Sequence, residues 1–114
     1  MSERLSYHVR QPWLDQIDLE KKIIENRVGP LSKHQHLVGK EVKFYCDNKE
    51  IKVFVTGVIH YDNLEELLDA EGWKNAAPHL NSKKEVIQAY CEFYTPQYII
   101  DNGGINCIKF VLVK

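Results

Sequence analysis

No stretch of this sequence is apolar for the roughly 18 to 20 residues that a membrane-spanning helix needs, so no membrane span is expected. Residues 1 to 11 lack the apolar core of a signal peptide, and no Asn begins an Asn-X-Ser/Thr acceptor site. Both absences point to an intracellular, cytoplasmic protein. A basic excess is missing too. The formal net charge is −1, which argues against a protein that grips nucleic acid through bulk positive charge. The six Gly and four Pro residues are scattered apart from Gly103-Gly104, and there is no repeat or low-complexity run to mark a linker. With 114 residues, one domain over 1 to 114 follows, large enough to bury a core without metal or disulfide. Cysteine is sparse and odd in number. Cys46, Cys91 and Cys107 sit among apolar neighbours and read as buried free thiols of a reducing compartment.

The distribution of charge says more than its sum. Residues 1 to 52 hold ten Lys/Arg against eight Asp/Glu, with three of the five His, whereas Asp62, Glu65, Glu66, Asp69 and Glu71 cluster further on. An anion site is therefore expected in the first half. Leu5 to Val9 reads as a strand. Pro12 suits the first turn of a short helix that turns Trp13, Leu14 and Ile17 inward and ends near Glu20. Ile23 to Val28 reads as a second strand, followed by a polar loop from Gly29 to Gly39.

Glu41 to Cys46 and Ile51 to Tyr61 are strongly β-prone and flank the turn-forming Asp47 to Glu50, which predicts a hairpin. Val53, Val55 and Gly57 fall on one face of its second strand, and Phe54, Thr56 and Val58 on the other. Both faces are partly apolar, as in a barrel strand with elements packed outside. Asp62 with Glu65 fits a capping signal for a helix carrying Leu64, Leu67 and Leu68, ended by Gly72. Ser82 with Glu85 repeats that signal for a helix with Val86, Tyr90 and Phe93 on one stripe. Thr95-Pro96 opens a short helical turn that stops at Asn102-Gly103, and Ile105 to Val113 is the last strand. Strands bracketing a helical group predict an α+β barrel with Val42, Phe44, Val53, Val55, Ile108 and Phe110 inside.

Lys22, Glu25 and Arg27 can line a pocket. Lys22 would supply a compact charge or a base, Arg27 a planar fork for phosphate or a base edge, and Glu25 an acceptor for an exocyclic amine. The same residues also read as a solvated strand edge whose Glu25–Arg27 pair is worth little. Strict alternation puts Glu25 and Arg27 on one face, so Lys22 joins them only from a turn or bulge. His34-X-His36 has no Cys or carboxylate at ligand spacing, so no metal is assigned and the histidines read as loop residues facing phosphate or water. The abundant aromatic residues are enough for a base-stacking platform. Most occupy core-periodic positions, leaving Trp13 and Trp73 as the best stacking candidates.

Gln16 to Arg27 resembles the "I-x-x-G-x-K-x-x-E-x-R" signature of the ASCH domain, a small member of the PUA-like group. Gly39 to Phe44 is similar to the family's "G-D-x-v-x-f" strand entry. Tyr61 to Leu68 with Gly72-Trp73 resembles its post-barrel helix, and Tyr94 with Gly104 to Ile108 its closing "Y…GG-v-x-a-I" strand. Glu20 stands where the signature has Gly. The resemblance implies an α+β fold, a PUA-like β-barrel with flanking helices, that holds a nucleobase or RNA segment in a cleft between the first helix and the strand of Glu25 and Arg27. Lys22, Glu25, Arg27 and Trp13 would bind the ligand, without a cofactor. It also implies an alternative, an amidohydrolase acting on an N4-acetylcytidine-like nucleoside. There Lys22 and Glu85 match two of three catalytic positions, and Glu25 occupies the third, where those enzymes have Thr. A protein-interaction adaptor built on the acidic segment 62 to 71 is a third reading.

Overall fold

The computed structural model describes residues 4 to 114, so the first three residues of the segment read for a signal peptide lie outside the described residues. Five strands form one sheet in the order β1-β3-β4-β5-β2. They are β1 (Ser6–His8), β2 (Ile24–Val28), β3 (Glu41–Cys46), β4 (Lys49–Tyr61) and β5 (Ile105–Leu112). β1 runs parallel to β3, and the other pairs are antiparallel. The sheet curls into a half-barrel with β1 and β2 as its two edges. The helices are α1 (Trp13–Asp18), α2 (Leu64–Glu71), α3 (Trp73–Ala76), α4 (Lys83–Tyr90) and α5 (Pro96–Asp101). The fold class is α+β, as the pattern of strands around helices predicts.

Alternation decides the core. Ile51, Val53 and Val55 on β4 are buried, as are Val42 and Phe44 on β3 and Ile108 and Phe110 on β5. All six residues expected inside the barrel are there. The opposite face of β4 departs from expectation, because Phe54 there is 40% exposed. A register shift between Val55 and Gly57 then bends β4 around the sheet, as a bulge does. The β3–β4 turn is tighter than the four residues expected: Cys46 pairs with Lys49, leaving Asp47-Asn48, and Asp47 takes a φ of 51°.

The helices begin where their caps place them. Ser82 Oγ accepts from the Glu85 N–H and Thr95 Oγ1 from the Tyr98 N–H, both at 3.1 Å. In α2 the cap is Asn63, whose Oδ1 accepts from the Glu66 N–H at 2.9 Å, one residue later than the Asp62–Glu65 box. Either residue can cap, and the later start leaves Leu64, Leu67 and Leu68 buried together. Of the thiols only Cys107 is buried. Cys46 is half-buried and Cys91, just past the end of α4, is exposed, so the apolar neighbours of those two did not report burial.

Candidate functional site

The site begins at the end of α1. Glu20 adopts a φ of 59°, a left-handed conformation for which glycine is the usual choice. The chain reverses direction here on a non-glycine residue. The turn lets the Lys21 and Lys22 N–H groups both donate to the Gln16 carbonyl, at 3.0 and 2.9 Å. Lys22 is thereby aimed inward from a turn, and it is fully buried.

Its ammonium has three donors, and three acceptors surround it. Nζ donates to the Ile24 carbonyl at 2.7 Å and the Ala76 carbonyl at 2.6 Å, and lies 3.4 Å from Glu25 Oε1. Burial pushes the Lys22 pKa down, opposed by the Glu25 charge beside it. The other Glu25 oxygen, Oε2, accepts from Arg27 Nε at 3.0 Å. Arg27 then crosses the open side of the half-barrel. Its terminal nitrogen donates to the His8 carbonyl on β1, and its guanidinium carbon lies 5.2 Å from the centre of the Tyr7 ring. Lys22, Glu25 and Arg27 form one continuous charged row that ties the two sheet edges together.

A cleft of about 240 Å³ opens beside this row. Its aromatic walls are Trp13, Tyr90, Phe93 and Tyr94, and its polar lining comes from His8, Arg10, Glu25, Asn26 and Arg27. Trp13 meets Tyr90 edge-on at 5.5 Å and Phe93 at 6.2 Å, while His79 packs edge-on against it at 4.8 Å. Asn26 Nδ2 donates to the Tyr90 hydroxyl at 3.0 Å, but Asn26 Oδ1 is buried without a hydrogen-bond partner. A buried amide oxygen left bare costs on the order of 1 to 3 kcal/mol, and ligand-binding clefts are where such groups find a use.

The sequence-level candidates divide. Glu25, Arg27 and Trp13 line the cleft, whereas Lys22 lies behind them and Glu85 does not line it. Glu85 is in the first turn of α4, half-buried, with its backbone N–H on Ser82. The walls include residues of the last third of the chain, so the cleft lies between β1, α1, β2 and the end of α4, wider than a groove between α1 and β2. Strict alternation sets Asn26 on the face of β2 opposite Glu25 and Arg27, so the sequence pattern does not group it with them. β2 is an edge strand, and a cleft along its free edge meets residues of both faces. Phe93, read as core from its helical stripe, is 41% exposed.

His34 and His36 are not a pair of solvent-facing ligands. His34 is buried with Nδ1 2.7 Å from Asn106 Nδ2, and His36 Nε2 lies 3.2 Å from the Arg4 carbonyl. Among the described residues no group of three His, Cys, Asp or Glu side chains is placed to hold a metal. No helix is long and apolar enough to cross a membrane among them either.

These features define an α+β half-barrel with an aromatic-walled cleft at its seam. Two solved structures share that fold over nearly the whole of both chains. The crystal structure of hypothetical protein PH0355 superposes with a TM-score of 0.82 at 25% identity, covering 95% of this chain and 97% of that one. The solution NMR structure of protein PF0455 from Pyrococcus furiosus gives a TM-score of 0.75 at 27% identity, covering 97% and 98%. No family model matches the chain, and no curated protein matches it.

Proposed function

We propose that the seam cleft holds a nucleobase, free or within RNA, as the resemblance to the ASCH domain implies. The observation that carries this reading is the unpartnered Asn26 Oδ1 in a cleft walled by Trp13, Tyr90, Phe93 and Tyr94. Aromatic walls offer stacking to any base, and a buried amide reads the hydrogen-bonding edge. The volume of about 240 Å³ is below the roughly 300 to 1,000 Å³ of sites for drug-sized ligands, which suits a single ring system with its sugar outside. Arg10 and Arg27 at the rim would meet phosphate, Arg27 with the guanidinium N–H groups that Glu25 and His8 leave free. A cytoplasmic setting, where such ligands occur and three unpaired thiols persist, belongs to the same reading.

The experiment is a chemical-shift titration of the protein with nucleosides and short single-stranded RNAs. The reading expects shifts concentrated at His8, Arg10, Asn26, Arg27, Phe93 and Tyr94. It also expects Arg27→Ala to flatten the salt dependence of log K by roughly 0.7 on a single strand, as loss of one phosphate contact does. No shifts with any of these ligands, or shifts away from the cleft, would sink it.

The amidohydrolase reading has less support. All three Lys22 donors are engaged, an ion-paired Glu25 stands at the Thr position, and Glu85 does not line the cleft. Incubation with N4-acetylcytidine is expected to release no acetate. Release that disappears with Lys22→Ala, in a variant that stays folded, would restore the enzyme.

A further inference from the structure

The aromatic lining does not stop at the rim of the cleft. From Trp13 the rings continue to Phe93 at 6.2 Å, from Phe93 to Tyr94 at 6.3 Å, and from Tyr94 to Tyr98 at 5.6 Å. The last two rings are nearly parallel, 14° apart, so one face of Tyr98 rests on Tyr94. Tyr98 is nevertheless 48% exposed, which leaves its outer face open to solvent. Its position is not loose, because its backbone N–H is held by Thr95 Oγ1 at the start of α5. Beside this run the Arg10 guanidinium stacks 4.3 Å from the centre of the Phe93 ring while pairing with Glu92 at 2.9 Å.

Resting on the nucleobase reading of the cleft, we infer that the outer face of Tyr98 is a second stacking subsite, taking the next base of a single-stranded nucleic acid whose first base occupies the cleft. A single exposed ring is ordinary, but Tyr98 extends a contiguous aromatic run that begins in the cleft and offers a flat apolar face at its end. Adjacent bases of a strand are such surfaces, and base–aromatic stacking tolerates any base. The cation beside this run suits a phosphodiester: the Arg10 guanidinium lies over Phe93, half-exposed, and shares its charge with the Glu92 carboxylate. A strand of two or more nucleotides is then the preferred ligand over a free nucleoside. A proline-rich peptide could also lie on aromatic rings, but it brings no charge to match Arg10.

The test compares the four nucleoside 5′-monophosphates with the four homotetranucleotide RNAs on the wild-type chain, Tyr98→Ala and Tyr98→Phe. The expected result is tighter binding of a tetranucleotide than of its mononucleotide. Tyr98→Ala should weaken the tetranucleotide about fivefold or more and leave the mononucleotide unchanged, and Tyr98→Phe should restore wild-type affinity. Equal tetranucleotide binding by wild type and Tyr98→Ala would overturn the subsite while leaving the cleft reading intact. Binding of neither ligand by the wild-type chain would overturn both. Capture of a polyproline peptide on Tyr98, with no RNA bound, would overturn the nucleic-acid assignment of this run.

Discussion

Asn106 donates a hydrogen bond from Nδ2 to His34 Nδ1 at 2.7 Å, which fixes His34 as a neutral acceptor. The orientation of the amide is settled by its other bond, because the Pro30 carbonyl, 2.8 Å from Nδ2, can only accept. Oδ1 is left to face His60 Nδ1 at 2.7 Å, so that nitrogen carries the proton. The network joins the loop after β2 to β4 and β5 beneath the surface.

A proton on His34 Nδ1 would set two donors against each other. Burial holds the His34 pKa down at about 4 from an ordinary 6.5, and the unfolded chain therefore takes up the proton first. Between pH 6.5 and 4 the unfolded state binds more protons, so stability falls as pH falls. The full difference is about 3 kcal/mol, at most about 1.4 kcal/mol per pH unit. His79, also lowered by burial, adds in the same direction. Urea melts at pH 7, 6, 5 and 4.5 should show this slope in the wild-type chain and a shallower one in His34→Gln. An unchanged slope in the variant would remove His34 as its source.

Gly104 lies against the same network. A Cβ there would stand 2.5 Å from the Tyr61 carbonyl oxygen and 2.8 Å from the His60 ring, at a φ of 93°. Gly104→Ala therefore meets both backbone strain, of order 1 to 3 kcal/mol, and overpacking of similar size. Thermal melting is expected to show a loss well beyond that of Gly57→Ala, where a Cβ meets nothing within 4 Å and φ is not positive. Equal melting temperatures for the two variants would contradict the close approach.

Much of the fold was legible because it follows short-range rules. β3 and the core of β4 alternate strictly, and Ser82 and Thr95 cap the helices that follow them. What escaped depends on contacts far apart in the chain. Arg27 reaching His8, or Lys22 reaching the Ala76 carbonyl of α3, leaves no local pattern. Nor does the exposure of Phe93 and Tyr98, since a helical stripe shows that rings share a side without showing what covers them. Phe54 illustrates the same limit on a strand, where an apolar residue on the second face suggested burial and is 40% exposed. Glu20 escaped for a different reason, since its left-handed φ falls on a residue type that does not announce a reversal as glycine would.

Lys22 is expected to govern stability before it governs binding. Removing its ammonium in Lys22→Ala leaves Glu25 with Arg27 as its remaining partner and strips the Ile24 and Ala76 carbonyls of a donor. Breaking a buried pair this way costs about 3 to 5 kcal/mol. Chemical denaturation should show that loss, and the double variant Lys22→Met with Glu25→Leu should regain part of it by removing the stranded carboxylate, while the partly exposed Arg27 keeps the His8 carbonyl as its acceptor. A Lys22→Ala protein as stable as wild type would mean that the buried pair is not holding the turn to β2, and would reopen Lys22 as a reactive group.

Ser82 and Glu85 separate a cap from a pocket residue. Ser82 Oγ accepts the Glu85 backbone N–H at 3.1 Å, a bond that depends on the serine side chain and on the backbone of residue 85, whichever side chain that residue carries. The Glu85 carboxylate forms no ion pair or hydrogen bond among the described residues, and it is half-buried outside the cleft. Its remaining influence is that of an acidic group in the first turn of α4, worth about 0.3 to 1 kcal/mol through the helix dipole. Ser82→Ala should therefore cost more, about 0.5 to 2 kcal/mol, than Glu85→Ala or Glu85→Gln, and none of the three should change ligand affinity. Melting temperature and affinity measured on all three variants decide the matter. A tenfold loss of affinity in Glu85→Gln without a thermal defect would bring Glu85 into the site, by a motion of its side chain toward the cleft.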